Sequence, residues 1–266
     1  LFQIFTGISY SIDNRTPFKI KFNKKDEFSP VDNTSKRPTY WNNFLKTIST
    51  FTYVELPMLP VFREKEAFKY NKIPQFDEDF IIFGYYQSYL YFDNNKHTIK
   101  RLLNIDKNRE IIKNQHLEYF RDKMPISMHF RIGDYVKASH VHPVLDIEYY
   151  KKALKALYEK IPNLSEKYYI LYFFEPIDKD VVYEKIKLLQ QEYQDIEFRP
   201  CNENIEDWKQ MLLMSCCSHN ILANSTFSWW GAYLNNNSNK IVVYPNKWTN
   251  SHNNLNDLHI KSWIFI

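Results

Sequence analysis

The strongest constraint on the fold is a rhythm. In residues 125–266, short apolar runs alternate with amphipathic stretches. Ile126–Phe130 reads as a strand and Ile147–Lys160 as an amphipathic helix. Tyr168–Phe174 is a continuous apolar run, long enough for a buried strand. Helix is expected over Lys179–Tyr193, strand over Ile196–Arg199, helix over Ile205–Cys217 and strand over Asn220–Ala223. Helix over Thr226–Leu234 and strand over Ile241–Tyr244 close the pattern. Parallel strands need a crossover between them, and their sheet needs cover on both faces. Alternation repeated this often therefore predicts an α/β unit: a parallel sheet with helices on both faces, Rossmann-like in kind.

Residues 1–124 are less regular. Leu1–Tyr10 carries apolar residues at helical spacing with no capping residue before it, so a preceding segment is expected, and a targeting signal within it stays open. Short strands are expected at Pro17–Phe22, Tyr53–Leu56 and Phe80–Gly84, with a polar loop over Asn23–Tyr40. Lys96–Phe120 alternates charged and apolar residues at helical spacing, with Leu102, Leu103, Ile105, Ile111, Ile112 and Leu117 as candidates for burial. The division expected is 1–124 and 125–266.

Composition excludes several classes. With 35 basic against 31 acidic residues the net charge is +4, too small for a nucleic-acid binder. No run approaches ~18 apolar residues, so no membrane span is expected in this chain. Three cysteines, none in a CxxC pair, make neither a disulfide framework nor a zinc site and read as reduced, mostly buried thiols. A soluble domain is expected, with the cytoplasm favoured. Glycine occurs only 4 times, which marks each as a place where a side chain would be costly.

In open parallel sheets ligands bind beyond the carboxyl ends of the strands. After the first strand of residues 125–266 come His129, Arg131, Gly133 and Asp134; after the second, Glu175; after the fourth, Asn224, Ser225 and Thr226. Asn224-Ser-Thr-Phe-Ser228 falls at a strand-to-helix turn, where free N–H groups attract anions. A plain helix cap explains the same residues. Arg131 offers a planar, permanently charged fork that matches phosphate oxygens, though pairing with Asp134 is the simpler alternative. His129 faces the same way as Arg131 by two-residue alternation. Asp207, opening a helix, is either a cap or a carboxylate that accepts from a guanine N1–H and 2-amino group together. Asp77-Glu78-Asp79 resembles a metal-binding acidic motif, but a solvated turn is the simpler reading. Five Asn-x-Ser/Thr sequons, at Asn14, Asn33, Asn163, Asn224 and Asn236, arise readily by chance in so Asn-rich a chain.

His129-Phe-Arg131-Ile-Gly133-Asp134-Tyr-Val resembles the His-x-Arg-Arg-Gly-Asp-Tyr-Val segment of the α-1,2-fucosyltransferases of glycosyltransferase family 11. His142, Leu145 and Tyr149-Tyr150 match its continuation. Ile221-Leu-Ala-Asn224-Ser-Thr-Phe-Ser-Trp-Trp-Gly231-Ala-Tyr-Leu234 matches a second signature, and Gly84-Tyr-Tyr-Gln87-Ser with Tyr91-Phe92 a third. Leu1-Phe-Gln-Ile-Phe resembles the residues just after the family's Gly-rich loop. The resemblance implies a GT-B-like architecture of two Rossmann-like halves. Residues 1–124 would be the acceptor side, lacking its first strand and Gly-rich loop, and 125–266 would bind GDP-fucose. It implies inverting, metal-independent and cofactor-free transfer of L-fucose to the 2-hydroxyl of a terminal galactose on a glycan. Arg131 would bind the diphosphate and Asp134 act beside it. His129 and Asp207 would lie around the guanosine. Gly133 would permit the turn, and Asn224, Ser225, Thr226, Phe227 and Ser228 would hold the phosphates. Glu175 is a second candidate base. The family's second arginine is Ile132 here, and an inactive relative that only binds nucleotide sugar or glycan is the alternative.

Overall fold

The computed structural model describes residues 1–22, 39–55, 57–251 and 255–266. Most of the expected loop Asn23–Tyr40, and Leu56 at the end of an expected strand, lie outside the described residues. The chain forms two compact units, Leu1–Asp106 with Asn254–Lys261, and Lys107–Asn253 with Ser262–Ile266.

In the first unit, α1 (Phe2–Asn14) buries Phe2, Phe5 and Ile8, three residues apart on one face. The Phe2 and Phe5 rings meet Phe92 at 5.9 and 5.3 Å. The helix stops where Arg15 turns left-handed, at φ 53°. Two short parallel pairs follow: β1 (Ile20–Lys21) with β2 (Thr52–Tyr53), and β3 (Val61–Arg63) with β4 (Ile81–Phe83). The expected helix over 96–120 is three pieces, α2 (Lys96–Leu102), α3 (Ile105–Gln115) and a 3-10 turn at Leu117–Phe120, and α3 runs from the end of the first unit into the second. The break is Asn104, which adopts φ 51°, a conformation asparagine tolerates. The break resets the buried face. Leu103, Ile105 and Ile112 are in the core, whereas Leu102, Ile111 and Leu117, expected to be buried, are exposed.

The second unit carries the expected parallel sheet. Its strands are β5 (Met124–His129), β6 (Tyr168–Phe173), β7 (Phe198–Pro200), β8 (His219–Ile221), β9 (Val242–Tyr244) and β10 (Ile264–Phe265). They lie in the order β10-β9-β8-β5-β6-β7, every pair parallel. Counted from β5 along the chain this is 3-2-1-4-5-6, the Rossmann order. The edge strand β10 was not anticipated from the sequence. Between strands run α4 (Gly133–Lys137), α5 (Ile147–Lys160), α6 (Leu164–Lys167), α7 (Lys179–Glu192), α8 (Asp207–Cys216) and α9 (Thr226–Leu234).

Side-chain alternation divides the strands between two faces. Ile126, Met128, Ile170 and Tyr172 pack with Tyr150, Leu154 and Leu157 of α5 and Val182, Ile186 and Leu189 of α7. Ser127 and Asn220 point to the other face, where Asn220 donates to the Met214 carbonyl of α8 at 2.9 Å. There α8 and α9 pack closely because Gly231 has no side chain: a Cβ at 231 would stand 2.8 Å from the Cβ of Met214. Cys201 and Cys217 are buried free thiols, and Cys216 is half-buried. Among the described residues no helix is long and apolar enough to cross a membrane.

Candidate active site

The switch point of a 3-2-1-4-5-6 sheet lies between its first and fourth strands, where the chain leaves in opposite directions and opens a crevice. Here those strands are β5 and β8. His129 ends β5, Arg131 follows it, and Asn224 and Ser225 follow β8.

Arg131 is the centre of this rim. Its side chain is 8% exposed. One end of the fork, Nη2, donates to Asp134 Oδ2 at 2.5 Å, and Nη1 is paired with Glu175, the residue after Phe174 beyond β6. Burial opposes the charge of the guanidinium, but Glu175 and Asp134 more than offset it, so its pKa is raised above the ordinary arginine value. The ring of Tyr135 lies 5.5 Å from the guanidinium carbon. One positive charge thus faces two carboxylates in a half-buried setting, held by a short-range clamp.

His129 is buried, and its Nδ1 has no hydrogen-bond partner among the described residues. Desolvation, aided by the Arg131 charge, lowers its pKa to about 3, so the imidazole is neutral at physiological pH. Its ring lies 5.5 Å from that of Phe227, which links the end of β5 to the first turn of α9. Ser225 is the N-cap of α9, its Oγ accepting from the Phe227 N–H at 3.3 Å. Accepting leaves the hydroxyl proton of Ser225 available for donation. Thr226 opens the helix and is half-buried.

Other predicted residues are committed to the fold. Asn224 is buried, and its Nδ2 donates to the carbonyls of Pro143 (2.8 Å) and Trp248 (3.2 Å). Ser228 is buried, with Oγ donating to the carbonyls of Ser225 (3.3 Å) and Ala223 (3.4 Å). Gly133 donates its N–H to Asp178 Oδ2 at 3.0 Å. Asp207 opens α8 beyond β7, an outer strand, and accepts from the Trp208 N–H at 2.8 Å. Ile132 is buried in the apolar core with Leu145 and Tyr149, so position 132 faces away from the rim that Arg131 serves. Asp77 and Asp79 are exposed in the turn before β4.

The structure adds residues that sequence reasoning missed. Asp178 is buried and anchors the backbone at Gly133. Its only sequence signal is Pro176 two residues earlier, which starts a tight turn. Tyr149 donates to the Leu222 carbonyl (2.6 Å) and Tyr150 to that of His129 (3.1 Å), so neighbouring hydroxyls of α5 pin the ends of β8 and β5. Tyr135 donates to the Asn224 carbonyl at 2.8 Å, tying α4 to the β8 turn.

A Rossmann-ordered sheet thus carries a buried guanidinium at its switch point and a capped helix N-terminus on the same rim, an arrangement whose charge suits an anionic group. The sequence profile of Glycosyl transferase family 11 matches residues 16–266, and the chain belongs to that family. It is 32% identical over 246 residues (82% of this chain, 77% of the relative) to the O-antigen biosynthesis glycosyltransferase WbnK of Escherichia coli. It is 25% identical over 269 positions (93% and 88%) to an alpha-1,2-colitosyltransferase of the same organism. Among solved structures, the fucosyltransferase NodZ from Bradyrhizobium matches with a TM-score of 0.45 and 12% identity, over 88% of this chain and 87% of that one. E. coli ADP-heptose lps heptosyltransferase II matches with a TM-score of 0.40 and 14% identity, over 60% of this chain and 43% of that one. The chain is therefore an α/β glycosyltransferase of family 11, with an O-antigen glycosyltransferase and a colitosyltransferase among its relatives.

Proposed function

We propose that this enzyme moves L-fucose from GDP-fucose to the 2-hydroxyl of a terminal galactose on a glycan, with inversion and without a metal. The observation that carries the reading is Arg131, a buried guanidinium at the switch point beside the N-terminus of α9. The 1,2 linkage rests on the relative named for it. The second unit takes the donor and the first the acceptor.

As the bond from fucose C1 to the phosphate oxygen breaks, its electron pair goes to GDP and the sugar becomes oxocarbenium-like. Arg131 and the N–H groups of the first turn of α9 stabilise that developing charge, which is the work a metal would otherwise do. Ser225 and Thr226 donate to the phosphates, Phe227 and Ser228 shape the turn, and Asn224 holds it in place through its two carbonyl contacts. His129, being neutral, adds no charge and packs toward the guanosine side with Asp207. The acceptor oxygen attacks the opposite face of C1 and gives its proton to a carboxylate. Asp134 is assigned that role, with Glu175 as the other carboxylate on the rim.

Both carboxylates grip Arg131 in the structure, so the diphosphate must exchange with at least one of them. Exchange frees a carboxylate at the moment the donor arrives, which couples donor binding to the appearance of a base.

The test is calorimetry in EDTA with GDP, GDP-fucose and UDP-galactose, on the chain and on Arg131→Ala. GDP and GDP-fucose should bind, UDP-galactose should not, and the variant should lose binding. Equal affinity for UDP-galactose, or an unchanged variant, refutes the reading. Fucose transfer to a β-galactoside then separates the enzyme from a relative that binds without turnover.

A further inference from the structure

The first unit contains a cleft that the donor chemistry does not use. It lies between the second half of α1 and the segment Tyr70–Gln75, and its volume is about 360 Å³. That is within the range of roughly 300–1,000 Å³ typical of small-molecule sites. We propose that this cleft binds a neutral sugar ring of a glycan.

The walls have the composition that sugar recognition needs. A pyranose presents C–H faces, which pack on aromatic rings, and rims of vicinal hydroxyls, which need groups able to donate and accept. Tyr10, Tyr70 and Tyr91 supply rings, and those of Tyr70 and Tyr91 meet at 4.9 Å with Tyr70 partly open to solvent. The rings are fixed. Tyr10 donates to the Pro74 carbonyl at 3.0 Å, and Tyr91 accepts from the Asn71 N–H at 3.0 Å and donates to the Lys69 carbonyl at 3.3 Å.

The polar groups point the same way. Asp13 accepts from Asn95 Nδ2 through Oδ1 at 2.8 Å, which leaves Oδ2 to accept from a ligand hydroxyl. Gln75 brings an amide to the opposite wall. Asp13 and Lys72 carry opposite charges on one cleft, so its lining has no excess of either sign and suits an uncharged ligand.

The independent observation is Thr6. It is 1% exposed, it lines the cleft, and its hydroxyl has no hydrogen-bond partner among the described residues. Buried hydroxyls are nearly always paired, and this unpaired donor and acceptor belongs to a residue of the cleft lining. A sugar hydroxyl completes it.

Saturation-transfer NMR with methyl β-D-galactopyranoside, methyl α-D-glucopyranoside, methyl α-D-mannopyranoside and glucuronate tests the proposal on the full chain and on Tyr70→Ala and Thr6→Val. At least one neutral glycoside should bind, and each variant should weaken it fivefold or more while leaving GDP affinity unchanged. Thr6→Val preserves shape and removes the unpaired hydroxyl, so its melting temperature should hold or rise as sugar affinity falls. A hydroxyl without a ligand role would show the first effect and not the second. Binding of glucuronate alone, no binding of any neutral glycoside, or neutral binding unaffected by both variants overturns the proposal. GDP binding is read separately, so failure here leaves the donor assignment standing, and the converse also holds.

Discussion

Asn220 sits at the heart of the sheet, 0% exposed in β8, with three side-chain bonds. It donates to Ser127 Oγ (2.6 Å) and to the Met214 carbonyl (2.9 Å), and its Oδ1 accepts from Asn235 Nδ2 (2.9 Å). Asn220→Leu keeps the branched outline of the side chain and removes all three. Net hydrogen bonds are worth about 1 kcal/mol each, and every buried partner left unpaired adds its own desolvation penalty of about 1–3 kcal/mol. Asn235 keeps its bond to the Cys217 carbonyl at 2.8 Å and the Met214 carbonyl keeps the Cys217 N–H at 3.2 Å, so the orphan is chiefly Ser127. The expected loss is about 3–5 kcal/mol. Urea unfolding followed by tryptophan fluorescence reads it in the right place, because Trp208, Trp229, Trp230, Trp248 and Trp263 lie in the second unit and only Trp41 in the first. With an m-value near 2 kcal/mol/M the midpoint should fall by roughly 2 M. Adding Ser127→Ala removes one orphan and should recover about 1 kcal/mol, a coupling that separate sites would not show. A loss below about 1 kcal/mol, or no recovery, would refute the claim that this network binds the strand pair at the switch point to α8.

Glu175→Gln removes a carboxylate that competes with phosphate for Arg131; GDP affinity should rise roughly tenfold by calorimetry, the equivalent of ~1.4 kcal/mol, and a fall would mean that Glu175 orients the guanidinium instead. Gly231→Ala drives a Cβ to 2.8 Å from the Cβ of Met214 and should destabilise the second unit by about 1–3 kcal/mol, read by the same fluorescence transition. Burial lowers the pKa values of His129 (about 3), His219 (about 4) and His259 (about 3) from 6.5. The unfolded chain therefore binds protons first as pH falls. Stability should be full above pH 6.5 and decline from there toward pH 4, and a flat urea midpoint across that window would contradict the buried, neutral histidines.

What the sequence revealed, and what it hid, follows from the range of the forces involved. Helices Ile147–Lys160 and Thr226–Leu234 match α5 and α9 residue for residue, because each has a local signature: Asp146 caps one and Ser225 the other. The sheet was legible because strands buried on both faces read as apolar runs, as β6 does. Ile111 and Leu117 were misread because a single left-handed residue, Asn104, rotates everything after it, and Leu102 because it ends the short helix before that break, where its neighbour Leu103 takes the buried side. β10 was missed because two residues at a sheet edge carry no periodicity. On the rim, Arg131 and Ser225 were visible in their turn positions. Asp178 and the clamp from Glu175 were not, since they are contacts between residues 44 or 45 apart whose meaning depends on the sheet that brings them together.

The route of the chain between the units has a practical consequence. Asn254–Lys261 belongs to the first unit, with Asp257 accepting from the Tyr70 N–H at 2.7 Å, yet Ser262–Ile266 returns to the second and supplies its edge strand. Neither unit is one continuous stretch of gene. A chimera that exchanges the donor-side unit between relatives at a single junction would carry a foreign β10 or a foreign 255–261 patch, so grafting needs junctions at both crossings. In synthesis, too, β10 leaves the ribosome only after the other strands of its sheet.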